Sequence, residues 1–253
     1  MLRTRVIPCL QLLDDSLVKT VKFDKPAYVG DPINTVRIFN ELEVDELCLL
    51  DIRASLNSHQ PNFELLAQIA NECFMPLSYG GGIDSLATAQ KVFSIGFEKI
   101  VLNTVLHRNP QLVRELVAHF GSQAIVASID VRKNMWGKYA AYINDGTQKI
   151  DIDPVSFARQ MEQAGAGEIL LTSMDKEGTW QGYDISITEK LAKAVAIPVI
   201  ANGGAGSVAD IANVIKAGKA SAAALGSMVV YQKKGMGVLV NFPDKNMLSQ
   251  TLR

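Results

Sequence analysis

Eight short, apolar, β-rich runs alternate with longer stretches of helical period along the 253 residues, an order that restricts the chain to a parallel sheet with crossover helices. The strand candidates are Arg5–Leu10, Glu46–Asp51, Pro76–Tyr79, Lys99–Leu102, Ala124–Ile129, Glu168–Thr172, Pro198–Ala201 and Ser221–Leu225. Helices are expected near 32–43, 61–72, 84–95, 110–120, 154–164, 184–195 and 207–217. Asp31-Pro32 and Asp153-Pro154 each place an N-cap acceptor before a proline at N1, a good helix start.

Such an order fits a closed barrel or an open doubly wound sheet, and a repeat separates the two. Asp31 and Asp153 stand 122 positions apart, as do Pro76 and Pro198, Gly81 and Gly203, and Gly82 and Gly204. Matches at one offset predict two similar half-barrels, about 1–122 and 123–253, closing as one (β/α)8 TIM barrel in a single domain over 1–253. An open sheet gives no reason for matching halves. The length also lies near the ~250 residues usual for such barrels.

Two stretches depart from the alternation. Met135–Ile150 holds the turn signal Asn144-Asp145-Gly146 and reads as a β-hairpin inserted after the fifth strand. From about 232 to 253, Gly235, Gly237 and Pro243 predict an irregular segment before a short helix at 244–252.

Lys and Arg number 25 against 26 Asp and Glu, a net charge of −1 that leaves no broad basic field for nucleic acid or an anionic membrane. The apolar run at 5–13 is too short to span a bilayer, and a cytoplasmic protein is expected. Cys9, Cys48 and Cys73 lack metal-ligand spacing and read as buried, reduced thiols; His59, His107 and His119 are scattered. No metal and no cofactor is expected.

Barrel chemistry sits at the C-terminal strand ends. Gly80-Gly81-Gly82 follows the third strand and Asn202-Gly203-Gly204-Ala205-Gly206 the seventh, where glycine lets backbone N–H groups approach an anion. Asn103-Thr104 and Gly226-Ser227, after the fourth and eighth strands, stand at matching places. The pattern suits a ligand with a phosphate at each end, or else two tight βα turns. Asp51, Asp130 and Asp175 follow strands two, five and six at the same rim. Each is a candidate acid or base, or a turn cap, and capping explains Asp130 least because no helix follows it directly. Trp180 could close over a ligand or be a surface aromatic.

Arg5-Val6-Ile7-Pro8-Cys9-Leu10, Val18-Lys19, Gly30-Asp31-Pro32, Asp45-Glu46-Leu47, Leu50-Asp51-Ile52, Gly80-Gly81-Gly82-Ile83, Asn103-Thr104, Ser128-Ile129-Asp130, Leu171-Thr172-Ser173 and Gly203-Gly204-Ala205-Gly206 together resemble the cyclase subunit of imidazole glycerol phosphate synthase over about residues 1–230. The resemblance implies a separate glutaminase subunit docked on the N-terminal barrel face, with ammonia passing through the barrel to a substrate carrying two phosphates. Its charged gate falls on Arg5, Glu46, Lys99 and Glu168, which otherwise read as a salt-bridged barrel floor. Lys19, Asp51, Thr172 and Asp175 join the glycines Gly81, Gly82, Gly203, Gly204 and Gly226, with Asn103, Thr104 and Ser227, as expected substrate contacts.

One position departs from that family. Of its two acid–base aspartates the second matches Asp130, but the first falls where this chain has Gln11, an amide that cannot exchange a proton at neutral pH. With Lys19–Phe23 and Val238–Pro243, this looks like the family's second, cyclase-like branch. The resemblance there implies ammonia delivery, alongside a sugar amidotransferase, for turning an acetamido into an acetamidino group in surface-polysaccharide synthesis. The alternatives are a genuine histidine-pathway cyclase using another acid, such as Asp51 or Asp175, and a non-catalytic barrel that docks and activates a glutaminase.

Overall fold

Strand pairing in this protein closes on itself. The computed structural model describes residues 4–57 and 59–252. The chain opens with β1 (Arg5–Leu13), β2 (Ser16–Val21), β3 (Asp24–Gly30) and α1 (Pro32–Glu41). There follow β4 (Leu47–Asp51), α2 (Ala54–Asn57), α3 (Phe63–Glu72), β5 (Leu77–Gly80), α4 (Leu86–Ile95), β6 (Lys99–Leu102), α5 (Thr104–Arg108) and α6 (Pro110–Phe120). Next come β7 (Ile125–Lys133), β8 (Tyr139–Ile143), β9 (Gln148–Lys149), α7 (Pro154–Ala164), β10 (Glu168–Ser173) and α8 (Ile185–Ala194). The chain ends through β11 (Val199–Asn202), α9 (Val208–Lys216), β12 (Ala222–Leu225), α10 (Ser227–Val230) and α11 (Lys245–Thr251). Strands β1, β4, β5, β6, β7, β10, β11 and β12 pair in parallel in that order, and the β12–β1 pairing completes a (β/α)8 TIM barrel.

The repeat has a structural counterpart. The carboxylates of Asp31 and Asp153 accept from Asn34 N–H at 2.7 Å and Ser156 N–H at 3.0 Å, capping α1 and α7, each cap worth about 1 kcal/mol. Glycines 203 and 204 need their identity: with φ of 91° and 110°, a Cβ on Gly204 would lie 2.2 Å from the Gly182 carbonyl oxygen.

Alternation along the strands sorts side chains into two apolar layers. Val6, Leu10 and Leu12 of β1 face the helices, whereas Ile7 and Cys9 face the lumen with Cys48, Val101, Val126, Leu170, Ile200, Ala222 and Ala224. The same period carries Arg5 to the floor and Gln11 to the mouth, about 20 Å further along the strand.

Two parts of the first βα connection escaped the sequence reading. β1 runs on to Leu13, and β2 and β3 form an antiparallel ribbon against it. The β2–β3 turn is Lys22-Phe23, both residues at positive φ (57° and 62°), a conformation that usually announces itself with Asn-Gly. Tertiary contacts hold it: Lys22 N–H donates to the Glu177 carbonyl at 2.9 Å. The insert after β7 does form strands, with Asn144–Thr147 as the β8–β9 turn. Among the described residues, no helix is long and apolar enough to cross a membrane.

Candidate active site

At the C-terminal strand ends a cavity of about 1130 Å³, open to solvent, gathers most of the residues singled out from sequence. Gln11, Lys19, Asp51, Gly81, Gly82, Asn103, Thr104, Asp130, Thr172, Gly203, Gly204, Gly226 and Ser227 all line it. Asp175 and Trp180 do not line this cavity. The Asp175 carboxylate instead accepts from Lys133 N–H at 2.8 Å, tying the loop after β10 to the end of β7. That loop turns tightly: Lys176 and Glu177 N–H both donate to the Ser173 carbonyl, at 3.1 and 2.9 Å. The turn sends Asp175 outward and brings Glu177 back over the mouth, so the acid that enters is not the one nearest the strand end.

Glu177 is buried, 3% exposed, and sits in a dense polar cluster. Its carboxylate is ion-paired with Lys19, itself buried, and accepts from the Thr20 hydroxyl at 3.0 Å and from Gln11 Nε2 at 3.4 Å. Gln11 Oε1 in turn accepts from Thr20 N–H at 2.9 Å. Gln11 is therefore a bracket, accepting on one side and donating on the other. Burial drives the Lys19 ammonium down to about 7, with the charge of Cys9 opposing that fall. A lysine buried at the mouth was the signal that a carboxylate had to meet it.

Asp130 lies on β7 opposite Thr172 of β10, and Asn103 Nδ2 donates to its Oδ2 at 3.2 Å. Burial raises it to about 7; its hydrogen bond with Thr172 opposes the rise and the charge of Asp145 adds to it. A carboxyl group poised there can give or take a proton near neutral pH. Asp145, on the β8–β9 turn, also lines the cavity and is raised to about 6 by burial, against the pull of Arg53 4.0 Å away. Sequence reading saw Asp145 only as part of a turn. Asp51 combines both of its readings: it lines the cavity, and it accepts from Arg53 N–H at 3.2 Å and Ala54 N–H at 3.0 Å at the start of α2. Burial raises its pKa despite those bonds.

At the opposite end, the charged residues that begin the strands meet in a ring. Arg5 contacts Glu46 at 2.8 Å and Glu168 at 2.7 Å, and Lys99 contacts the same two carboxylates at 3.0 and 3.2 Å. Charges alternate around it and sum to zero. Burial works against the Arg5 charge, yet Glu168 and Glu46 outweigh it and raise its pKa.

A closed parallel barrel with a glycine-bordered cavity holding buried charged side chains at its C-terminal strand ends is the architecture of a barrel enzyme. The family model for histidine biosynthesis proteins matches residues 5–235. The chain is 50% identical over 248 residues to a Pseudomonas aeruginosa protein provisionally named imidazole glycerol phosphate synthase subunit hisF2, spanning 98% of this chain and 99% of that one. A Vibrio vulnificus protein, provisionally named subunit hisF3, is 43% identical over 253 residues, 100% of this chain and 97% of its own. The imidazole glycerol phosphate synthase subunit HisF of Alkaliphilus metalliredigens is 39% identical over 92% of both chains. This chain belongs to the histidine biosynthesis protein family, as a HisF-like cyclase barrel.

Proposed function

We propose that the barrel is the ammonia-accepting subunit of a two-subunit glutamine amidotransferase, with a separate glutaminase docked on its N-terminal face. The observation that carries this reading is the neutral four-residue ring. Arg5, Glu46, Lys99 and Glu168 surround the lumen at the end opposite the cavity, and the lumen between is apolar, lined by Cys9, Cys48, Ala222 and Ala224 together with larger aliphatic side chains. A ring of paired charges can part to pass a small neutral molecule and close again, whereas a stability role alone needs no such placement around the lumen. Relatives named as imidazole glycerol phosphate synthase subunits support a glutaminase partner.

Within that class we assign the chain to acetamido-to-acetamidino modification of a sugar for O-antigen or lipopolysaccharide, acting beside a sugar amidotransferase in the cytoplasm. Gln11 supports this assignment, because its amide is bonded on both sides and cannot serve as the second acid. The glycine turns, Lys19 and the hydroxyls of Thr104 and Ser227 then hold a phosphorylated substrate, and Asp130 handles the proton released when ammonia attacks. The alternative, histidine-pathway cyclisation of the diphosphorylated ribulosyl formimino substrate, is favoured by one observation: Glu177 places a carboxylate against Gln11. A third reading is a non-catalytic barrel that docks and activates the glutaminase.

Supplying the purified chain with that diphosphorylated substrate and an ammonium salt separates them. Turnover at an ordinary cyclase rate removes the sugar assignment; no turnover, together with a rise in glutaminase activity on mixing the two subunits, supports the docked barrel. A partner glutaminase that neither binds nor is activated removes the amidotransferase reading altogether.

A further inference from the structure

The two glycine cradles share a backbone plan but not a charge. Beside the first, at Gly81, Gly82, Asn103 and Thr104, stands Asp51, so close that a Cβ on Gly81 would lie 2.6 Å from its Cβ. Asp145 enters the same cavity on the β8–β9 turn. Asn144 N–H, from that turn, already donates to the Thr104 hydroxyl at 3.1 Å, and the Thr104 proton points to Asn103 Oδ1 at 3.4 Å. Arg53 offsets only part of this, 4.0 Å from Asp145.

The second cradle differs. A Cβ added at Gly226 would lie 3.0 Å from Cε of Lys19, and the carboxylate beside that lysine, Glu177, is paired to it. Asp210 lies outside the cavity and is turned to the start of α9, where it accepts from Gly206 N–H at 3.1 Å and the Ser207 hydroxyl at 2.9 Å. The surroundings of the second cradle within the cavity are thus close to neutral and include an ammonium group, while those of the first are net negative. A phosphate is repelled from one and accepted by the other.

We infer that the cavity accepts a substrate with a single phosphorylated end, held at Gly203, Gly204 and Gly226, and that Asp145 reserves the first cradle for an uncharged, hydroxyl-bearing end such as a sugar ring. This rests on the cavity being the substrate site of the proposed function, and it narrows the substrate to one whose phosphates lie together rather than at both ends. Asp145 is the specificity-determining residue, because it comes from the insert and stands 4.0 Å from its cation, whereas Glu177, the acid lining the cavity beside the second cradle, is paired closely to Lys19.

Calorimetric titration of the full chain with inorganic phosphate at pH 6.5, between the values of about 6 for Asp145 and about 7 for Lys19 to which burial moves them, tests it. The wild-type chain is expected to bind one phosphate. Asp145→Asn is expected to gain a second phosphate site, at least ~10-fold tighter than any residual second binding in the wild type. Asp145→Ser, which also suits a turn, should do the same. Two equal sites in the wild type, or one site in all three proteins, overturns the inference while leaving the proposed function intact. No phosphate bound by the wild type overturns both, since the cavity would then not be a phosphate site.

Discussion

Arg5→Met takes one positive charge from the floor ring and keeps most of the side-chain length. Lys99 is then left with two carboxylates, Glu46 and Glu168, whose side chains are 7% and 13% exposed. Unit charges about 4 Å apart interact by about 4 kcal/mol at an effective dielectric near 20. The Arg5 side chain is 28% exposed and its charge costs something to desolvate, so the net loss should fall at the lower end of the 3–5 kcal/mol typical of a broken buried pair, about 3 kcal/mol. The uncompensated charge is relieved when the folded variant takes up a proton, which the unfolded chain does only at lower pH. The deficit is therefore full at pH 7.5 and shrinks as pH falls towards 5. Urea unfolding at both pH values measures it, and a double-mutant cycle with Glu168→Gln should return a coupling of about 2 kcal/mol. A loss under ~0.5 kcal/mol at pH 7.5, or one that does not change with pH, refutes the view of the ring as an ionic unit.

Asp130 yields a prediction of opposite sign. Burial raises it to about 7 from an unfolded value near 4, so the cost it imposes on the fold is absent below pH ~4 and complete above ~7. Asp130→Asn should stabilise the chain by about 4 kcal/mol at pH 8 and by little at pH 4, read by denaturant unfolding; an equal effect at both would mean that its carboxyl is not raised. In the β2–β3 turn, replacing Lys22-Phe23 by Asn-Gly relieves two non-glycine residues at positive φ and should raise stability by about 1–2 kcal/mol; a lower melting temperature would show that the Phe23 side chain outweighs the strain.

What was legible from sequence follows the physics of each signal. Strands fully buried on both faces read as continuous apolar runs, so Lys99–Leu102 was placed to the residue, as were the helices Pro110–Phe120 and Pro154–Ala164, which proline and glycine bound. Glu168–Thr172 stopped one residue short of β10, because Ser173 is polar yet still paired. The ribbon of β2 and β3 was missed because Lys19 and Thr20 are polar but buried, and the turn between them lacks glycine. Periodicity also fixes which side chains share the lumen, and hence the membership of both the ring and the mouth. Loops do not obey it. Asp175 and Glu177 differ by two positions, and only the hydrogen bonds to the Ser173 carbonyl decide which of them turns inward. Asp145 reaches the cavity through the long-range packing of an insert, which no local pattern encodes.

Gln11 and Glu177 make physical sense only together. The amide accepts from Thr20 N–H and donates to Glu177, and an aspartate at position 11 could do the first but not the second. Gln11→Asp alone would set two carboxylates around the single ammonium of Lys19 and should cost about 2 kcal/mol. Glu177→Gln alone would leave Lys19 buried with no counter-charge and should cost about 3 kcal/mol. In the double variant Lys19, whose Nζ already lies 3.4 Å from Gln11 Oε1, pairs with the new carboxylate, and the new amide at position 177 supplies the donor. The two losses should then fail to add by at least ~2 kcal/mol in urea unfolding. Additive losses would mean that positions 11 and 177 do not share one charge. The same exchange decides the chemistry: if only the double variant turns over the diphosphorylated cyclase substrate with ammonium, the amide at 11 is a redistribution of one carboxylate across the mouth, and ordinary cyclase activity was lost by moving a charge rather than by removing it.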